Sequence, residues 1–138
     1  MASNNPAAYT RAVTTLKADN YSAASTDGAS VDTKGYRHAV VVVNAGIAAA
    51  SAEADIKIQD SADDSSFADI SGATFTQITT ANDDTCYVGF INCDANRRYL
   101  RAVVACDGTN AVELGVSIVL LQPEVGPASQ VNAAAFSK

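Results

Sequence analysis

Four consecutive valines, Val40 to Val43, sit inside the run RHAVVVVN from Arg37 to Asn44. Branching at Cβ fits a pleated sheet better than a helix, so this run reads as the strongest strand of the chain. It is continuously apolar and does not alternate. That pattern calls for burial on both faces, by the core on one side and by another subunit or a loop on the other. Val40, Val41, Val42 and Val43 are therefore interface candidates as well as core candidates.

The rest of the chain follows the same period. Tyr9 to Leu16 reads as a first strand, and a short one is expected around Tyr21 to Ser25. Asp27-Gly28 and Lys34-Gly35 mark turns, and Asn44-Ala45-Gly46 ends the valine strand. Ala48 to Ala54 is alanine-rich enough for a helical turn but too short to be more than a connection. Ala54 to Gln59 alternates cleanly, with Ile56 and Ile58 on one side. The polar run Asp60 to Ser66 turns the chain back through Phe67 and Ile70. Thr74 to Thr80 and Thr85 to Asn92 read as further strands, and Gly89 suggests a bulge or a close approach. Arg97 to Cys106 places Leu100, Ala102 and Val104 on one face. Asp107-Gly108-Thr109-Asn110 reads as a hairpin turn into Val112 to Leu121. Seven or eight strands at this spacing predict an all-β fold, an antiparallel sandwich or jelly roll. We read one domain over 1–138, with its core over about 9–122 and extended arms at 1–8 and 123–138.

Composition narrows the function. The 138 residues carry a formal net charge of -6, and a nucleic-acid partner would call for clustered Lys and Arg. Only Arg97, Arg98 and Arg101 cluster. They suit acidic groups on a partner or, equally, Asp94, Asp107 or Glu113 of the same chain. No apolar run approaches the roughly 20 residues of a membrane span, and no leader pattern opens the sequence, so synthesis in the cytosol is expected. Cys86, Cys93 and Cys106 lack metal-site spacing and read as small, partly buried thiols, with a Cys86–Cys93 bridge as the alternative. His38 has no second histidine or nucleophile motif to work with, so no catalytic residue and no cofactor are assigned. Asp60, Asp63, Asp64 and Asp69 read as a solvated turn, with a bound cation as the alternative. Trp is absent, which leaves no aromatic platform of the kind sugar-binding sandwiches use. Much of the apolar content is alanine, so a lone subunit is expected to bury little and to gain from partners.

Three segments carry a resemblance: VDTKGYRHAVVVVNAG from Val31, IQDSADDSSFADI from Ile58, and YVGFINCDANRRYLRAVV from Tyr87. In order and over about 90 residues, they resemble the small head decoration (cement) proteins of tailed bacteriophages and similar virion proteins of marine and cyanobacterial phages. Two departures stand out. Asp64 occupies a position where glycine is usual, and the turn before Arg97 is longer. The resemblance implies a β-sandwich subunit, a homotrimer, bound to the major capsid protein on the outside of the head. It implies that the protein stabilises the shell across capsomer boundaries, with no enzymatic role. The arms would then lie along neighbouring subunits, with Phe136 as an apolar anchor. A head-fibre or tail-associated module that binds the host surface, and a small hydrolase, are the competing readings.

Overall fold

A computed structural model describes residues 9–124. These form nine strands: β1 (Thr10–Tyr21), β2 (Thr26–Asp27), β3 (Val31–Asp32), β4 (Tyr36–Ala48), β5 (Ala54–Ser61), β6 (Ala68–Thr74), β7 (Cys86–Asn92), β8 (Tyr99–Cys106) and β9 (Val112–Pro123). The first sheet runs β1-β9-β4-β7. The second runs β2-β8-β5-β6, with β3 also on β8, and every pairing is antiparallel. If β2 and β3 count as one interrupted strand, the chain pairs first with last, second with seventh, third with sixth and fourth with fifth. That is one long hairpin folded over on itself, the jelly roll.

Alternation explains how the sheets close. Val41 and Val43 of β4 point inward and are fully buried, as are Ile58 of β5, Leu100 and Val104 of β8, and Ile118 and Leu120 of β9, while Ile56 is almost so. Packing of these two inner faces makes a single core. The valine run is thus split by the pleat: two of its side chains build the core and two leave it.

Several expected boundaries move. β1 runs on to Tyr21 and absorbs the start of the strand expected at Tyr21 to Ser25. β4 continues past Asn44 to Ala48, because Ala45 and Ala48 still pair with Leu114 and Val112 across a register shift. No strand forms over Thr74 to Thr80. β6 ends at Thr74, and only Ile78 bridges back to Ala54, since one buried isoleucine is the whole apolar content of that stretch beyond Phe75. The Ala48 to Ala54 stretch is a turn, with Ser51 at φ 62°.

The Asp107–Asn110 turn is present, but it is not a hairpin. It carries the chain from β8 in one sheet to β9 in the other, with Gly108 at φ 87°. The segment before Arg97 is likewise a crossing between sheets, made by a single 3-10 turn over Cys93–Ala95. Asn92 caps it by accepting the Asp94 amide. Of the hairpins expected from sequence, only β5–β6 pairs across its own turn.

Candidate interaction surface

The two sheets present unlike outer faces. On the second sheet the outward side chains of β5, β6 and β8 bond to one another. Asp69 accepts from Lys57 Nζ at 2.8 Å and from Gln59 Nε2 at 2.7 Å. Arg101 donates to Gln59 Oε1 at 2.9 Å, reaches Asp27 at 3.1 Å, and lies 4.1 Å from the centroid of the Phe67 ring. This face is a closed polar ladder.

All three clustered arginines are spent within the chain. Arg97 holds Asp60, with Nε to Oδ1 at 2.8 Å and its backbone amide to Oδ2 at 3.0 Å. Arg98 grips Asp32 bidentately at 2.9 and 2.7 Å, a geometry suited to the guanidinium fork. That pair holds the Asp32 carboxyl below, and the Arg98 guanidinium above, their ordinary values. Both side chains are about two-fifths exposed, at 44% and 42%, so solvent screens the pair and it adds little to stability. The partners are Asp60, Asp32 and Asp27, not Asp94, Asp107 or Glu113. These contacts tie β8 to β5, β2 and β3.

The acidic turn resolves in the same way. Asp60 faces Arg97 from the end of β5 and Asp69 faces Lys57. Asp63 caps its own loop, accepting from the Ser66 amide at 2.8 Å, Ser61 Oγ at 2.8 Å and the Ser65 amide at 3.1 Å. Three of the four carboxylates, Asp60, Asp63 and Asp69, are directed to separate partners. Among the described residues no three His, Cys, Asp or Glu side chains come together as metal ligands, and no helix is long and apolar enough to cross a membrane. The three cysteines are free. Cys93 is buried and Cys106 half-buried, where burial raises both thiols. Cys86, contrary to expectation, is exposed. It lies opposite Asn44 on the edge strand β7, where an outward position meets only solvent.

The outer face of the first sheet is different. Antiparallel register sets Phe90 opposite Val40, and Val40 opposite Val119. The next row is Val88, Val42 and Ser117, and the row on the other side is Asn92, His38 and Leu121. Side chains directly opposite one another share a face, so these rows form a stripe across β7, β4 and β9. Phe90 is 80% exposed and Val88 52% exposed, while Val40, Val42, Val119 and Leu121 are half-covered by their neighbours. His38 and Asn92 supply its polar margin, and a shallow hollow forms between His38, Val40, Phe90 and Leu121.

The expectation for the valine strand thus divides residue by residue. Val41 and Val43 belong to the core. Val40 and Val42 belong to the stripe. Phe90 and Val88 were not singled out from sequence, although YVGFIN alternates, with Tyr87 and Ile91 facing inward. The available signal was that both alternating faces of that strand are apolar. Phe136 lies outside the described residues. No family model matches the sequence, and no curated protein matches it.

Proposed function

We propose that this chain is a structural virion protein, a head decoration (cement) protein of the kind made by tailed phages, without an enzymatic role. It binds the major capsid protein on the outside of the head, as a homotrimer, and adds buried area across capsomer boundaries. The observation that carries this reading is the inequality of the two outer faces. One is a self-satisfied polar ladder. The other is an uncharged apolar stripe centred on Phe90; away from it, Ile47 and Tyr9 are the exposed large apolar side chains among the described residues. Exposed apolar patches of this kind mark protein–protein contact. The resemblance of three ordered segments to decoration proteins supplies the partner. Bridging several capsid subunits at once would stabilise the shell by mass action and avidity. The protein would be made in the host cytoplasm and end on the capsid exterior.

Co-sedimentation of the purified full-length chain with expanded, undecorated heads of its phage tests the reading, with sedimentation velocity reporting the trimer. Saturable binding is expected. Burial of a phenylalanine is worth about 1.5–3 kcal/mol, so Phe90→Asp should weaken binding at least about tenfold with an unchanged melting temperature. Wild-type affinity in Phe90→Asp would remove the stripe from the interface. If the wild-type chain ignores heads but binds host cells, the role is that of a host-surface module.

A further inference from the structure

Among the described strands, β7 is hydrogen-bonded to β4 and on its other side to none. The other edges are blunted in ways that discourage strand addition. β1 carries Arg11, Lys17 and Asp19 and two register shifts. The β5–β6 pairing is interrupted by a shift, and β6 carries Asp69 and Gly72. β2 and β3 are two residues each. β7 has none of these devices. It is seven residues long, CYVGFIN, without charge or proline, and in continuous register with β4 from Asn92 to Cys86.

The ladder fixes which backbone groups line that edge. The Ala45 amide donates to the Thr85 carbonyl at 3.0 Å, one step beyond the pair of Asn44 with Cys86. Bonded pairs alternate along an antiparallel ladder. Val43 with Tyr87, Val41 with Gly89 and Ala39 with Ile91 therefore exchange the bonds between β4 and β7. Cys86, Val88, Phe90 and Asn92 turn their amides and carbonyls the other way. The Asn92 carbonyl agrees, since it takes the Asn96 side-chain amide at 2.7 Å. The same four residues carry the outward side chains, so the apolar stripe and the row of unpaired backbone groups meet at Val88 and Phe90.

We propose that β7 pairs with β7 of a second copy of this chain, antiparallel about a two-fold axis, so that the first sheets of two sandwiches join into one. A strand edge is a template for pairing, and a two-fold axis sets this row of donors and acceptors against itself. Neither edge brings a charge to the contact. Outward side chains of the two strands fall beside one another, so Val88 and Phe90 gain cover and the stripe runs on from one copy into the next. Asp84 and Asp94 flank the strand, and the Asp84 end of one copy meets the Asp94 end of the other, so the pair forms best where salt screens them. Seven residues make an edge about 23 Å long. So small a contact is weak and transient by itself and serves copies that are held close together. The assignment does not depend on the capsid reading. A two-fold contact cannot close a trimer, so in that reading it would join one trimer to the next.

The test uses the full-length chain in moderate salt, with amide exchange read by NMR and sedimentation velocity read on the same samples. Over a hundredfold rise in concentration, a paired species should appear and exchange at the Val88 and Phe90 amides should slow at least tenfold. Exchange at Tyr87 and Gly89, whose amides are bonded to β4, should not change. Fast exchange at Val88 and Phe90 in every species overturns the proposal. Slow exchange there in a species that sediments unpaired also overturns it, because the edge is then covered within one chain. Val88→Pro deletes a donor on the free side and spares the bonds to β4, a position where an edge strand accepts proline. Self-association should weaken at least tenfold in this variant with the melting temperature retained, and wild-type association in the folded variant would remove β7 from the contact.

Discussion

Asp64 stands at φ 60°, in the left-handed region. L-residues disfavour it, and Asp tolerates it better than most. The carboxylate beside it, Asp63, gathers the Ser65 and Ser66 amides and so fixes the turn that Asp64 completes. A glycine at this position would adopt the same angle without that cost. Asp64→Gly should raise stability by about 0.5–1 kcal/mol, read as the urea midpoint at constant m-value. A fall in the midpoint would mean that the Asp64 side chain does more in the turn than endure its angle. Other single-residue roles were not legible. Nothing in the chain's order shows that Asp60 meets Arg97 or that Asp32 meets Arg98. Those pairs depend on which strands lie beside β8 and in what register. Composition could say that the arginines would find acids, but not which ones.

At the scale of elements, the link between β2 and β3, where it packs against Thr15 of β1, explains a glycine that the sequence marked only as a turn. β1 bulges at Thr15. The Thr15 hydroxyl donates to the Ala29 carbonyl at 2.7 Å and accepts the Ala102 amide at 3.0 Å. Gly28 lies against this junction and donates to the Ala102 carbonyl at 2.8 Å. A Cβ on Gly28 would meet Thr15 Oγ1 at 2.6 Å and the Ala102 carbonyl oxygen at 2.8 Å. Gly28→Ala should therefore cost about 1–3 kcal/mol, and thermal unfolding of the purified variant measures it. An unchanged melting temperature would show that the link yields. Strand existence was legible wherever large apolar residues alternate, as in β5, β8 and β9. It failed where alternating threonines mimic the period without filling an interior, as in TFTQITT. The sheet crossing at Asp107–Asn110 was read as a hairpin because a turn's local chemistry is the same whichever sheet the chain enters next.

The molecule as a whole should be acid-sensitive in a defined direction. Backbone amides of Ser66 hold Asp63 well below the ordinary carboxylate range, those of Thr109 and Asn110 lower Asp107, Arg98 lowers Asp32 and Lys57 lowers Asp69. Each carboxyl is more acidic folded than unfolded, so each contributes stability that is present above the unfolded value of about 3.9. That stability is lost as pH falls through the lower folded values. The calorimetric melting temperature should be flat with respect to these groups from about pH 7 to 5 and decline below about pH 4. Asp63→Asn should flatten part of that decline, and a wild-type melting temperature that holds to pH 3 would refute the linkage. The jelly roll itself was legible because its strands are spaced regularly and its core residues alternate, whereas the stripe that sets one face apart depends on the alignment of β7, β4 and β9. One further consequence follows from the pairing of Thr10 with Leu121. The first and last strands lie side by side and antiparallel, so the ends of the ladder leave the sandwich together at one pole. Tension applied between those ends would open the ladder one rung at a time, each hydrogen bond bearing the load alone, which is the weakest way to pull on a sheet. Load that enters broadside, through the Phe90 face, instead meets a sheet in which many contacts must shear at once.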